Sequence, residues 1–313
     1  MILYSILFIL GCIMLYYGSE FLINHSVSIS QRFGVLPIVI GATVIAFGTS
    51  LPELLVSMYS IIFIDSSDAT SGIIIGNILG SNIANVSLVL GYCGFIYSII
   101  LNQNLLDDIL FPFLLGLYTL ICLHFDITIN YVHGIVLLCS LLVYIYLLIK
   151  NNKIDDEDIE GNLNSKLSWN ILVIIISIII LFLGSHLVVD NATKIAKFFN
   201  INTLTIGVTI IALGTSLPEL FTGIIAIKKK QYNLLIGNIV GSNILNIVLV
   251  LGFSSIITDI KPIIEPNKLL YISIALIISH LILILAYLYN KSVSKFIGFI
   301  LLLLYLIFLY KIF

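Results

Sequence analysis

Apolar runs long enough to cross a bilayer follow one another along nearly the whole of this sequence. A helical span needs about 20 mostly apolar residues to traverse hydrocarbon about 30 Å thick, and polar punctuation cuts the chain into about ten such runs. They are 2–26, 36–63, 73–99, 108–124, 131–149, 169–193, 203–227, 233–257, 269–289 and 295–312. His124–Asn130 separates the fourth from the fifth. Only 10% of the 313 residues are charged, against about a quarter in soluble domains. In lipid every backbone N–H and C=O must be satisfied within the protein, which leaves helices and closed barrels. The alternating pattern of a barrel strand is absent. The expected fold is all-α and integral to the membrane, with ten transmembrane helices.

Several function classes drop out early. The net charge is −2 and no basic arm or patch offers itself to nucleic acid. Cys12, Cys93, Cys122 and Cys139 are scattered through apolar runs without metal or redox spacing, and read as packing residues. The first run lacks a basic leader and a small-residue cleavage site, so it is expected to stay as the first helix. The substantial hydrophilic connection is 150–168. Within it, Asp156, Asp158, Glu160 and Gly161 imitate the start of a calcium-binding loop. The twelfth position is Leu167, not the bidentate glutamate such a loop requires. A solvated acidic loop is the expectation.

The chain contains itself twice. Gly18–Leu54 aligns without gaps on Gly184–Leu220, displaced by 166 positions, and "GTSLPEL" occurs at Gly48–Leu54 and Gly214–Leu220. "GNILGSNIANVSLVLG" at 76–91 returns as "GNIVGSNILNIVLVLG" at 237–252. Residues 1–149 and 169–313 thus form two five-helix halves around the loop. Five spans between corresponding points is an odd number, so the second half is expected upside down relative to the first. Inverted repeats build many secondary transporters, with substrate bound near the midplane. Lysine and arginine set the orientation. With the N-terminus outside, Arg32, Lys150, Lys153, Lys166, Lys228, Lys229, Lys230, Lys291 and Lys295 lie inside, and Lys194, Lys197, Lys261, Lys268 and Lys311 outside.

The repeated motifs carry the chemistry. Pro52 cannot donate to the Gly48 carbonyl four residues back, nor Pro218 to that of Gly214. An acidic side chain within a span costs about 3 kcal/mol or more, which makes it a functional candidate. Thr49 and Ser50 share a helix face with Glu53, as Thr215 and Ser216 do with Glu219. Asn77, Ser81 and Asn85 form a polar stripe at four-residue spacing, repeated by Asn238, Ser242 and Asn246. Gly76 with Gly80, and Gly237 with Gly241, are spaced for close helix approach. Every candidate ligand is an oxygen, which favours hard cations such as Ca2+ and Na+ over softer transition metals. The five histidines are unrepeated and read as structural. Glu20 and Asp190, near helix ends, read as interfacial anchors.

These motifs, in this order and twice over, resemble the cation/calcium antiporter superfamily, specifically its prokaryotic-type sodium/calcium exchanger branch. The resemblance implies ten helices with four cation sites between the second, third, seventh and eighth, and alternating access by sliding of the first helix of each half. It implies that Glu53 and Glu219 ligate both ions, with hydroxyls from Thr49, Ser50, Thr215, Ser216, Ser81 and Ser242. Backbone carbonyls of Ala46 and Ala212 would complete outer sodium sites, and Asn85 and Asn246 would line the centre. Asn246 stands where some relatives carry Asp, which implies exchange without potassium. Two carboxylates balance one Ca2+, so replacing it by three Na+ would make the cycle electrogenic. The expected protein is a multi-pass, monomeric antiporter of the cell membrane, not an enzyme, whose partners are Na+, Ca2+ and the lipid bilayer and which uses no cofactor. A proton-coupled antiporter for Ca2+ or another divalent cation, and a passive cation channel, are the alternatives.

Overall fold

The computed structural model describes residues 2–64, 66–101, 105–151, 166–198 and 212–312. The acidic segment Asp155–Gly161 and the whole of 203–211, the start of the seventh apolar run, lie outside these residues. Among the described residues, eight helices are long and apolar enough to cross a membrane, or nine if one broken pair counts as a single span. In chain order the helices are α1 (Ile2–Phe33), α2 (Pro37–Thr49), α3 (Leu51–Phe63), α4 (Ser67–Ile96), α5 (Leu106–His124) and α6 (Tyr131–Asn151). There follow α7 (Leu167–Phe198), α8 (Ala212–Thr215), α9 (Leu217–Lys228), α10 (Tyr232–Ile257), α11 (Pro266–Asn290) and α12 (Lys295–Ile312). Two short strands, β1 (Ile99–Ile100) and β2 (Ser292–Val293), pair antiparallel.

Several helices outrun the apolar runs that predicted them. The first run ends at 26, yet α1 continues to Phe33. Its last turns are polar but helical, with the Ser28 hydroxyl donating to the carbonyl of Asn24 at 3.1 Å. Gly34, at φ 60°, ends it in the left-handed conformation that glycine adopts without a Cβ clash. The helix α4 starts six residues before its predicted run, because Ser66 caps it by accepting from the Ala69 N–H at 3.3 Å. Hydropathy marks the hydrocarbon, whereas capping marks the helix.

The contacts divide the chain into two compact units, Met1–Ser50 with Asn151–Asn238, and Leu51–Lys150 with Ile239–Ile312. In the first, α1 and α7 are each 32 residues long, about 48 Å at the helical rise, and lie against one another. They meet through glycine: a Cβ on Gly11 would stand 2.8 Å from the Gly184 carbonyl oxygen, and one on Gly184 3.1 Å from that of Gly11. Such bare backbone contact is how helices approach closely where lipid supplies no hydrophobic drive between them. His25 Nδ1 and Asn170 Oδ1, 2.8 Å apart, tie the same pair. Glu20 on α1 binds Lys229 at 3.2 Å, and Asp190 binds Lys194 at 2.6 Å.

The second unit contains reciprocal contacts. The end of α4 packs on α12 where a Cβ on Gly298 would lie 2.7 Å from the Gly91 carbonyl oxygen. The end of α10 packs on α6 where a Cβ on Gly134 would lie 2.6 Å from the Gly252 carbonyl oxygen. Gly252 is Gly91 displaced by 161 positions, and Gly298 is Gly134 displaced by 164. Backbone pairing repeats the pattern, with Ile99 opposite Val293 and Ile129 opposite Ile260. The two contacts thus join corresponding positions of the repeated sequence reciprocally. Gly134→Ala is expected to lower the melting temperature of the purified protein in detergent, since overpacking costs about 1–3 kcal/mol. Gly72→Ala, whose nearest described neighbour would be 4.0 Å away, is expected to leave it unchanged or raise it.

Candidate cation site

The site is built on two broken helices. Proline lacks the N–H that would continue the ladder, and the break falls one residue before the Leu-Pro of each copy. Ser50 sits at φ −87°, ψ 6° and Ser216 at φ −89°, ψ 5°. Corresponding serines thus adopt nearly the same non-helical conformation. Proline leaves the Gly48 and Gly214 carbonyls without their helical N–H partners, and in the second copy the Gly214 carbonyl accepts from the Ser185 hydroxyl of α7 at 2.7 Å instead. The Ala46 carbonyl accepts from the Ser50 N–H at 3.0 Å, with the Thr49 hydroxyl at 3.4 Å. Ala212 opens α8, and its side chain lies outside the described residues.

In the first unit the polar residues gather around Glu219, which is only 1% exposed. Its Oε1 accepts from the Ser50 hydroxyl at 3.4 Å. Thr49 is fully buried and donates to Asn238 Oδ1 at 3.1 Å, while Asn238 Nδ2 donates to Thr222 at 3.2 Å. Thr222 in turn donates to the Pro218 carbonyl at 2.8 Å. Ser216 is buried and Thr215 half-buried on the same stretch. Gly237, from one of the GxxxG pairs, does mediate close approach: a Cβ there would stand 3.1 Å from the Gly41 Cα.

The second unit arranges its own set around Glu53, also 1% exposed. Ser81 donates to Glu53 Oε1 at 3.1 Å. Asn77 Nδ2 donates to the Glu53 carbonyl at 2.9 Å and to Ser57 at 3.3 Å. No described atom comes within 4 Å of a Cβ built on Gly76 or Gly80, and Gly207, the repeat counterpart of Gly41, lies outside the described residues. Deeper along α4 and α10, Asn85 and Asn246 are buried, as is Ser242. Each asparagine is the first residue of a π-helical turn, Asn85–Leu90 and Asn246–Leu251. Such turns insert a residue and re-aim side chains, often at functional sites. Here they end the four-residue spacing of the polar stripe, and past the two asparagines the buried polar side chains of these helices are the serines Ser87, Ser254 and Ser255.

Chemically, each unit holds one buried carboxylate among hydroxyls and amides. A buried charge is tolerated only with compensating partners, and an oxygen-rich shell suits a hard cation. Residues 3–150 and 169–313 match the family described as sodium/calcium exchanger protein. The chain belongs to the sodium/calcium exchanger family. An uncharacterised membrane protein of Methanocaldococcus jannaschii is 39% identical over 240 residues, 77% of each chain. The sodium/calcium exchanger MaX1 of Methanosarcina acetivorans is 27% identical over 98% of each chain. A solved structure of the sodium-calcium exchanger NCX_Mj, soaked with 10 mM Na+ and zero Ca2+, aligns with a TM-score of 0.83 and 35% identity over 98% of this chain and 97% of that one.

For a sodium/calcium exchanger, the polar residues missing from the sequence-based site are informative. Asn82, Asn243, Thr222 and Ser185 are all buried and hydrogen-bonded in or beside the candidate sets. Asn82 and Asn243 belong to the repeated "GSN", so duplication alone could have flagged them. His280, read as structural, is buried against Asn243 at 3.3 Å. Ser185→Ala is expected to cost about 1–3 kcal/mol by stranding the Gly214 carbonyl. Ser177→Ala, which removes a hydroxyl that among the described residues donates to the Val173 carbonyl of its own helix, is expected to cost clearly less when both are compared by thermal unfolding in detergent.

Proposed function

We propose that this exchanger couples Na+ movement in one direction to Ca2+ movement in the other, by alternating access. The observation that carries the reading is a pair of carboxylates, Glu53 and Glu219, each buried to 1% exposure beside a matched helix break and each given hydroxyl partners. Membership of the family supports it. Thr49, Ser50, Ser81, Thr215, Ser216 and Ser242 would supply hydroxyl ligands, Asn85 and Asn246 amide oxygens, and Ala46 and Ala212 backbone carbonyls. The two negative charges match one Ca2+. Exchange of one Ca2+ for three Na+ would carry one net charge per cycle and make the transport electrogenic. The amide at Asn246, where a carboxylate would add a third charge, fits exchange without potassium.

Ten spans in two inverted halves, with the N-terminus outside, belong to the same proposal. The reciprocal contacts of α4 with α12 and α10 with α6 support the repeat, and the lysine distribution supports the orientation. A monomer is proposed as the transporting unit.

In proteoliposomes loaded with sodium, dilution into sodium-free buffer is expected to drive calcium uptake. An interior-positive potential should accelerate it, and replacing potassium by choline should leave it unchanged. Glu53→Gln and Glu219→Gln are each expected to reduce uptake to the level of empty liposomes. Uptake that follows a pH gradient and ignores sodium would instead identify a proton-coupled antiporter. Calcium flux with no counter-ion demand would identify a channel.

A further inference from the structure

Between α4 and α10 of the second unit lies a closed network of four asparagines. Asn85 Nδ2 donates to Asn243 Oδ1 at 3.0 Å, and Asn246 Nδ2 donates to Asn82 Oδ1 at 3.0 Å. Asn82 Nδ2 donates to the backbone carbonyl of Asn243 at 3.1 Å, and Asn243 Nδ2 to that of Asn82 at 3.3 Å. All four side chains are 1% exposed or less. Each bond has its counterpart 161 positions along the chain.

The direction of every amide follows from the two carbonyls. A backbone carbonyl only accepts, so the NH2 ends of Asn82 and Asn243 must face them. Asn243 is fixed a second time. His280 Nδ1 lies 2.9 Å from the Leu276 carbonyl and donates to it, so its Nε2 accepts from Asn243 Nδ2 at 3.3 Å. With both NH2 ends so committed, Asn82 and Asn243 present oxygen to their neighbours. Asn85 and Asn246 must answer with NH2, which turns their own oxygens the opposite way. Those two oxygens, Asn85 Oδ1 and Asn246 Oδ1, are buried and accept no hydrogen bond among the described residues. A buried amide oxygen without a donor is costly, and a cation would satisfy it.

We infer that Asn82 and Asn243 are positioning residues, which hold Asn85 and Asn246 with oxygen rather than NH2 turned toward the transported cation. Without them either amide could rotate by half a turn and present two N–H groups to a positive ion. The inference rests on the proposed cation site. Its distinguishing consequence is chemical: a carboxylate has no wrong orientation, because both its ends are oxygens. Asp at position 246 should therefore make Asn82 dispensable for ion binding, whereas a purely structural Asn82 would matter equally in either background.

The test is a four-protein comparison of wild type, Asn82→Leu, Asn246→Asp and the double variant, read as the KM for calcium in sodium-driven uptake. Removing a residue that orients a ligand is expected to raise KM about 10- to 100-fold in the wild-type background. In the Asn246→Asp background, where Asn82 Oδ1 would face a carboxylate oxygen, the same change should raise KM by no more than about twofold, the scatter of independent sites, or should lower it. Equal costs in both backgrounds, or no cost in the first, would overturn the inference. The calcium-induced shift in melting temperature, measured on the same four proteins in detergent, separates this outcome from failure of the antiport. Wild type that calcium stabilises but that shows no sodium-driven uptake refutes the antiport alone, and the comparison then proceeds on binding. Wild type that calcium does not stabilise overturns the cation site and this inference together. If Asn82→Leu is not monodisperse, Asn243→Leu with and without Asn85→Asp makes the mirror comparison.

Discussion

A carboxylate held in an apolar span has to be compensated locally, and the polar chemistry of this protein is arranged around that demand. Each unit buries one glutamate and spends hydroxyls and amides on it: Ser50, Thr49, Asn238 and Thr222 in the first, Ser81 and Asn77 in the second. Neutral dipoles can orient toward such a charge without cancelling it. The charge is therefore left without a neutralising counter-charge, while the dipoles lower the cost of burying it. A lysine in the same place would have neutralised the glutamate permanently.

The backbone is interrupted where this chemistry needs it and sealed nearby. Proline and serine break each helix next to its glutamate, and Ser185 covers the Gly214 carbonyl that one break exposes. The π-helical turns beginning at Asn85 and Asn246 close the polar stripe on the far side. Beyond them, glycine contacts such as Gly134 with Gly252 return to ordinary close packing of apolar helices. Irregular backbone in a membrane is confined to places where protein groups can satisfy it, and these breaks follow that restriction.

Much of this was legible in the sequence because lipid permits so few architectures. Among the described residues apolar run length located nine spans, one of them broken, and the duplicated "GTSLPEL" located both glutamates and both breaks. Helix ends were less legible: α1 continues through a polar stretch that hydropathy assigns to a loop, since serine hydroxyls and a terminal glycine, not hydrophobicity, decide where it stops. Ser185 was illegible for a different reason. Its partner, the Gly214 carbonyl, is 29 positions away, and no spacing rule links a hydroxyl on one helix to a broken turn on another. Asn82 and Asn243 were visible as repeated letters, but their hydrogen bonds to one another's carbonyls were not.

The sequence by itself determined the helical class, the duplication, and the presence of an acid, a proline and hydroxyls at matched positions, because these follow from residue type and local geometry. Only the tertiary structure decided which carbonyl is capped and which way each buried amide is turned. An asparagine side chain is nearly symmetric in shape and opposite in hydrogen-bonding character at its two ends. Its direction is set by partners such as the carbonyls of Asn82 and Asn243, which are brought together across 161 positions of chain.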